Sequence, residues 1–251
     1  MTAPRILCYH AVSSTWHASL SVLPSALERQ AAALRRRGFV GLTVTESERL
    51  RAEGRLPERT VVFTFDDAYS STLLALPILE TYGFPATVFV PTGFVDAAEP
   101  LEWAGTRRWA GTTFEGELAP ATWDMLRMFV HAGWEAGSHS VTHPLLTGLD
   151  DGALAFELEA SRDTLIRELG SCTSIAYPYG GADERVAAAA ATAGYTAGVV
   201  LARSRLPDRP LTRHRMGIYH KDTGWRARAK LSATLNQLHR MAAASGALPR
   251  S

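Results

Sequence analysis

Short apolar segments rich in β-branched and aromatic residues alternate along the chain with segments of helical periodicity. A run of four to eight such residues bounded by Gly, Pro, Asp or Ser is typical of a buried strand. Eight segments fit this description: RILCYHAV (5–12), FVGLTV (39–44), TVVFTF (60–65), ATVFVP (86–91), WEAGSHS (134–140), SIAYPY (174–179), TAGVVL (196–201) and MGIYHK (216–221). Strands separated by helices pair in parallel through right-handed crossovers, so the pattern predicts an α/β fold.

Helices are predicted between these strands. Residues 25–37 begin with Ser25 and Glu28 in the spacing of a capping box and end before Gly38. A second helix and a terminal one, the latter over about 223–244, are marked by leucines at helical spacing: Leu154, Leu158, Leu165 and Leu169, then Leu231, Leu235 and Leu238.

The number of strand and helix units predicts the architecture. About seven units in 251 residues indicate one distorted β/α barrel, forming a single domain over residues 1–251. The least regular segment, residues 96–120, is interpreted as an excursion from the barrel that carries Trp103, Trp109 and Phe114. In a β/α barrel, functional side chains gather at the carboxyl ends of the strands.

Composition and charge restrict the classes of function. The chain is 46% apolar and 20% charged, and its net charge of +1 provides no field that would attract nucleic acid or an anionic membrane. No segment approaches the ~20 apolar residues of a membrane span, and the N-terminus lacks the pattern of a secretory signal. Two cysteines fit a reducing compartment. We therefore expect a cytoplasmic protein with no nucleic-acid partner, no membrane span and no obligate protein partner.

Two adjacent carboxylates, Asp66 and Asp67, follow the predicted strand TVVFTF. Successive side chains at a strand end point to different sides, so the two groups can serve different roles. The alternative is structural, because aspartate is common in turns and at helix N-termini.

A pair of histidines, His139 and His143, lies four residues apart in SHSVTHP. At that spacing both imidazoles can reach one cation, and with one aspartate they supply three ligands and leave positions open for water and substrate. Such a set can hold ferrous iron in an oxygenase or zinc in a hydrolase. A hydrolase also explains the second aspartate, which would act as a general base on water.

The segment YPYGG is the third candidate motif. Pro178 fixes its own φ, and Gly180 and Gly181 leave the following backbone flexible, which can present a backbone N–H at the mouth of a barrel. Taken alone, the segment is equally typical of a plain turn.

The motifs TFDD, HSVTH and YPYG, in this order, resemble the NodB-homology domain of the polysaccharide deacetylases, carbohydrate esterase family four. The resemblance covers about residues 5–220. It implies a distorted β/α barrel and a divalent metal, usually zinc, with Co²⁺ or Ni²⁺ as alternatives. It implies that the metal is held by Asp67, His139 and His143.

The resemblance also implies a reaction. The N-acetyl amide of an amino sugar would be hydrolysed with release of acetate, with Asp66 as the general base and the backbone N–H of Tyr179 as an oxyanion donor. Tyr179 would also contact the substrate. Because the family commonly has an arginine where this chain has Ala176, another arginine must orient the base, and the candidates are Arg185, Arg213 and Arg215.

The general acid differs from the family's commoner pattern, a late Leu-x-x-His motif. The early segment CYHAV resembles the branch of poly-N-acetylglucosamine deacetylases, in which a histidine on an early strand takes that role. This resemblance implies that His10 protonates the leaving amine, and His214 and His220 remain alternatives.

The substrate is the least determined part of the prediction. Trp103, Trp109 and Trp123 are candidates to stack on sugar rings, with Trp103 and Trp109 preferred. A cytoplasmic location would favour a sugar nucleotide, a lipid-linked saccharide or a small N-acylated metabolite as the N-acetylated substrate. Three alternatives remain: an amidohydrolase acting on a non-carbohydrate C–N bond, a ferrous oxygenase and a non-catalytic carbohydrate-binding barrel.

Overall fold

The computed structural model describes residues 3–231. Its strands are β1 (Arg5–Tyr9), β2 (Ala11–Val12), β3 (Ser21–Val22), β4 (Val40–Gly41), β5 (Thr60–Phe65), β6 (Ala86–Val90), β7 (Glu135–Ser138), β8 (Ser174–Ala176), β9 (Ala197–Leu201) and β10 (Arg213–Gly217). Its α-helices are α1 (Pro24–Arg36), α2 (Val44–Ala52), α3 (Ala75–Thr81), α4 (Trp123–His131), α5 (Asp151–Leu169), α6 (Glu184–Thr192) and α7 (Gly224–Lys230).

Seven of the strands form a closed parallel barrel. Their order is β1, β10, β9, β8, β7, β6 and β5, and β5 pairs back onto β1. The closing ladder runs from Arg5 opposite Val61 to Tyr9 opposite Phe65. Short β4 pairs with the first residues of β5, and β2 pairs with β3 outside the barrel. The predicted β/α barrel of about seven units is confirmed.

Alternate residues of each strand face the barrel interior, so the interior is built in layers. On β7 the three layers are represented by Glu135, Gly137 and, just past the strand, His139. A Cβ on Gly137 would lie 2.6 Å from the Phe89 ring, so glycine makes room for that ring. An apolar cluster inside the barrel lies between polar groups at the two ends; it consists of Ile6, Val62, Phe89, Ala176, Ala197 and Val199 from the strands and Val44 from α2.

The helices cover the outside of the barrel through a larger apolar core. The predicted face of α1, with Leu27, Ala31 and Leu34, is buried. The helix begins at Pro24, however, and its N-cap residue makes no side-chain hydrogen bond, so the predicted capping box is wrong. Proline is well suited to the first helical position because the N–H that it lacks would have no partner inside the helix.

The other two helix predictions fall on α5 and α7. Leu154, Leu158 and Leu165 lie on the buried face of α5. The predicted terminal helix over about 223–244 begins as α7, and its residues beyond 231 lie outside the described part of the chain.

Several strands differ from the prediction. The segment RILCYHAV is not one strand, because it divides into β1 in the barrel and β2 outside it. The last strand is Arg213–Gly217 and not MGIYHK, because Arg213 and Arg215 are buried in ion pairs with Glu48 and Asp66 and therefore belong to the barrel. The segment FVGLTV contributes only the two residues of β4, since Thr43 accepts a hydrogen bond from the backbone of Glu46 and begins α2.

Residues 96–120 form an ordered excursion at the carboxyl end of the barrel, as predicted. Leu101, Trp103 and Leu118 pack there against Trp16 and Tyr69. Among residues 3–231, none of the helices combines the length and apolarity needed to cross a membrane.

Candidate metal centre and catalytic pocket

Three predicted ligands meet at the carboxyl end of the barrel. Asp67 follows β5, whereas His139 and His143 follow β7. The Nε2 atoms of His139 and His143 lie 3.4 and 3.3 Å from Oδ1 of Asp67, and all three side chains are buried. One donor atom of each lies within 4.8 Å of the other two. Two imidazoles and one carboxylate at this spacing fit a divalent cation that keeps positions open for water and substrate.

The backbone at this end of the barrel is strained. Asp67, His143 and Tyr179 have φ values of 69°, 58° and 59°, a left-handed conformation that favours glycine. Each such residue costs on the order of 1–3 kcal/mol and persists only where its surroundings hold it. Three of the predicted site residues are therefore held in positions that a relaxed chain would avoid.

Burial and the mutual interactions of the three groups shift their pKa values. Burial raises the pKa of Asp67, but hydrogen bonds from His139 and His143 outweigh burial and bring that pKa well below its ordinary value. Burial lowers the pKa of His143, and Asp67 offsets this only in part. For His139 the effect of burial is outweighed by Asp66 and Asp67, which raise its pKa.

The candidate base, Asp66, follows β5 and is held by Arg215 of β10, which is separated from β5 by β1 alone. Nη1 and Nη2 of Arg215 donate to Oδ1 and Oδ2 of Asp66 at 2.6 and 2.5 Å, and Nη1 also donates to Thr64 Oγ1 at 3.0 Å. Burial raises the pKa of Asp66, but Arg215 and then His139 outweigh burial and lower that pKa below its ordinary value. The carboxylate is therefore ionised and fixed in orientation.

Of the three candidates for the arginine absent at Ala176, Arg215 is the one that contacts Asp66. Arg213 forms an ion pair with Glu48 at 2.8 Å, and Arg185 forms one with exposed Asp151 at 2.8 Å. Ala176 has another role, because its carbonyl oxygen lies 2.7 Å from Nδ1 of His139.

His10 lies beside Asp66 and forms a second group of possible ligands with Asp66 and Cys8. One donor atom each of Cys8, His10 and Asp66 lies within 4.8 Å of the others. This group does not fit a second cation, because Arg215 already engages both oxygens of Asp66. In addition, burial raises the pKa of the Cys8 thiol well above its ordinary value, and a metal ligand must be a thiolate. Nδ1 of His10 is buried and has no partner within residues 3–231.

A pocket of about 400 Å³ joins these groups. Its lining includes all the preferred site residues except one, namely His10, Asp66, Asp67, Trp103, His139, His143 and Tyr179. The exception is Trp109, which packs edge-on against Trp16 and Phe114 in the excursion. Trp123 is also absent from the lining and packs on α4 against the outer core.

The two alternative acids lie elsewhere. Nε2 of His214 lies 2.7 Å from the carbonyl oxygen of Leu206. The ring of His220 packs edge-on against His17 at 5.2 Å, and neither His214 nor His220 lines the pocket. Of the three candidate histidines, His10 is thus the one beside the predicted base.

Sequence reasoning missed three residues at or next to the site. Arg203 and Tyr219 line the pocket on the side of β9 and β10, and nothing in the local pattern distinguishes them. Glu157 is buried on α5 and contacts the turn that carries His143. The sequence does contain a sign of Glu157, because a charged residue beside Leu154 and Leu158 interrupts the apolar face of that helix.

Comparison with known proteins gives matches in both sequence and structure. The sequence model for polysaccharide deacetylase matches residues 53–198. The poly-beta-1,6-N-acetyl-D-glucosamine N-deacetylase of Escherichia coli K12 is 34% identical over 114 residues. That alignment covers 43% of this chain and 16% of the E. coli protein, so this chain spans only a small part of its length.

Two solved structures illustrate the likeness in fold. The deacetylase PplD of Streptococcus pyogenes, in complex with acetate, has a TM-score of 0.75 at 24% identity, covering 92% of this chain and 99% of that one. IcaB of Ammonifex degensii has a TM-score of 0.71 at 22% identity, covering 94% and 98%. With more than half of its length matched by the family's sequence model and with the same barrel fold, the chain belongs to the polysaccharide deacetylase family.

Proposed function

We propose that the protein is a metal-dependent N-deacetylase that hydrolyses the acetamide of an amino-sugar-containing substrate and releases acetate. The observation that carries the proposal is the position of Asp66, ion-paired with Arg215, beside the triad of Asp67, His139 and His143 in one pocket. The two adjacent aspartates thus have different partners. Asp67 faces the two histidines, as a metal ligand would, and Asp66 pairs with Arg215, as an oriented base would.

Asp66 is the proposed general base. Its carboxylate is ionised, and both of its oxygens are oriented by Arg215, so it can accept a proton from a water that attacks the acetamide carbon. The backbone N–H of Tyr179 would donate to the oxygen on which negative charge develops. His10 would donate a proton to the departing nitrogen, since it lines the same pocket next to Asp66.

Asp67, His139 and His143 would hold the divalent metal. Zinc is proposed first because two imidazoles and one carboxylate are ligands it commonly takes in catalytic sites; Co²⁺ and Ni²⁺ are the alternatives. When bound, the cation would polarise the acetamide carbonyl and lower the pKa of a nearby water.

The proposed substrate class is an N-acetylglucosamine-containing saccharide or conjugate. It is supported by the family and by the name of the E. coli relative, which acts on poly-beta-1,6-N-acetyl-D-glucosamine. The non-catalytic alternative is less favoured, because Arg215 contacts Asp66 although the family's usual arginine position is occupied by Ala176. The size of the substrate, polymer or small conjugate, and the compartment in which the protein meets it stay predictions.

The test measures acetate release from N-acetylglucosamine oligomers and from a panel of sugar nucleotides. The protein is stripped with a chelator and then reloaded with zinc or cobalt. Release should return with the metal, disappear in Asp66→Ala with metal still bound, and persist in Asp163→Ala, which changes an exposed carboxylate on α5. Asp67→Ala and His139→Ala should lose the metal itself.

The other outcomes separate the alternatives. Iron-dependent oxygen consumption would identify an oxygenase. Stoichiometric binding of metal and saccharide without acetate release would identify a binding protein, and normal turnover in Asp66→Ala would reject the assigned base.

A further inference from the structure

The two histidines of the triad differ in what holds their rings. Nδ1 of His139 lies 2.7 Å from the carbonyl oxygen of Ala176, which fixes both the tautomer and the ring plane. Nδ1 of His143 is buried, and within residues 3–231 it has no hydrogen-bond partner. A metal-ligating histidine usually donates its second ring N–H to an acceptor. His143 must therefore be held by other means.

The first means acts on the backbone. Glu157, buried on α5, accepts hydrogen bonds from the backbone N–H groups of Val141 and Thr142 at 2.7 and 2.9 Å and from the Thr142 hydroxyl at 2.5 Å. The turn is tied further by the His143 N–H, which donates to Ser140 Oγ at 3.0 Å. These bonds span a turn in which both Ser140 and His143 have positive φ, so they maintain a conformation that the chain alone disfavours.

The second means acts on the ring. Trp103 stacks on the imidazole of His143 with ring centroids 4.1 Å apart and planes 18° apart. The Trp103 backbone is tied by its N–H, which donates to Thr106 Oγ1 at 3.1 Å, and its ring is packed edge-on by Phe94. The side chain is only 8% exposed and one of its faces is covered by His143. It is poorly placed to offer a face to a sugar ring.

We propose that Glu157 and Trp103 are positioning residues for the metal: Glu157 fixes the backbone of His143 and Trp103 fixes its ring, replacing the hydrogen bond that Nδ1 lacks. Trp103 is thereby reassigned from sugar stacking to ligand orientation. The inference rests on the metal site of the proposed function. It adds two residues, from α5 and from the excursion, whose effect on the reaction passes through His143.

The experiment measures zinc affinity by competition with a chromophoric chelator, and the visible absorption of the Co²⁺-loaded protein. Glu157→Ala and Trp103→Leu should each weaken zinc binding by about 10- to 100-fold and alter the Co²⁺ spectrum, the usual range for groups that orient metal ligands. Glu157→Gln keeps an oxygen acceptor and Trp103→Phe keeps an aromatic face, so both should restore part of the affinity. Thermal unfolding of the metal-free variants separates a local loss from a global one.

Matched controls come from the same elements. Glu159→Ala changes an exposed glutamate on α5, and Trp109→Phe changes an aromatic residue of the excursion outside the pocket. Both should bind zinc like the unmodified protein.

Each result decides the inference. Trp103→Leu and Trp103→Phe with unchanged zinc affinity but a raised KM for saccharide would mean that Trp103 is a sugar platform and overturn its reassignment. Glu157→Gln and Glu157→Ala with unchanged zinc affinity would overturn the role of Glu157. Failure of the unmodified protein to bind any divalent metal would instead reject the proposed function on which the inference depends.

Discussion

The two ends of the barrel each contain a cluster of polar side chains, but the clusters are built differently. At the amino end, Glu135 accepts hydrogen bonds from the Thr45 N–H and hydroxyl, the Thr87 hydroxyl and the Ser174 hydroxyl, at distances between 2.5 and 3.0 Å. All of these donors are neutral, and they come from α2, β6 and β8. The carboxylate therefore joins the first turn of α2 to the ends of two barrel strands.

At the carboxyl end, buried polar atoms are left without partners. Nδ1 of His10, Nδ1 of His143 and Nε of Arg215 have no hydrogen-bond partner among the described residues. Unpaired buried groups cost stability, and in native proteins they call for an explanation. The comparison suggests that the amino end is arranged for stability, whereas the carboxyl end retains groups that can act on a substrate, a metal and a proton.

Among the variants that compare the two ends, the largest effect is expected from His10→Gln. If His10 protonates the departing amine, His10→Gln should lower turnover of an acetamide by about 10²- to 10³-fold. An aryl acetate should be affected much less, since its leaving group departs as a stable anion. Both rates are measured on the zinc-loaded protein, with His17→Gln as the control because His17 is exposed and does not line the pocket. Equal losses on amide and ester would show that His10 is structural.

Strand β10 allows the two ends to be compared with matched variants. Arg213 lies at its amino end and pairs with Glu48 through two bonds of 2.8 Å, whereas Arg215 lies two residues later and pairs with Asp66. Both arginines are buried and both pairs are bidentate. They differ in whether the carboxylate partner lines the pocket.

Arg215→Gln should therefore reduce turnover by about 10²-fold, since a base that loses its orientation by a small distance loses that order of rate. Arg213→Gln should lower the free energy of unfolding without a comparable loss of turnover. The measurements are kcat/KM and urea denaturation of both variants. Because breaking a buried pair can prevent folding, Arg215→Lys, which keeps the charge without the bidentate geometry, is measured as well. Equal activity losses in the two glutamine variants would contradict the comparison.

The pH dependence of turnover should change in Arg215→Gln and stay the same in Arg213→Gln. Burial raises the pKa of Asp66 and Arg215 outweighs it, so in Arg215→Gln the pKa of Asp66 rises. A base that must be ionised then loses activity at a higher pH, and the acidic limb of kcat/KM moves upward. The corresponding limb in Arg213→Gln should stay in place. An unmoved acidic limb in an active Arg215→Gln protein would mean that another group is the base.

The sequence predicts the barrel well because period-two strands and intervening helices are local patterns. It also indicates Asp66, Asp67, His139 and His143, since these residues stand next to each other or one helical turn apart. It does not select Arg215, because the ion pair with Asp66 joins residues 149 positions apart in the chain. For the same reason the predicted strand begins three residues after the true start of β10 at Arg213. Arginines are typical of loops, and the sequence does not show that these two have buried partners.

The smallest effect on turnover is expected at the amino end. Glu135→Ala leaves the Thr45 N–H and three hydroxyls without their acceptor, although the Thr45 hydroxyl retains Thr173 Oγ1 at 2.9 Å. The free energy of unfolding should fall by about 1–3 kcal/mol. Glu135→Gln should cost less, because an oxygen acceptor remains. Since the apolar cluster lies between Glu135 and the pocket, kcat/KM should stay within about two-fold of the unmodified protein, as expected for sites without shared partners. A ten-fold loss of turnover at unchanged zinc content would mean that strain at the amino end passes through β7 to His139, and the two ends would then be one coupled unit.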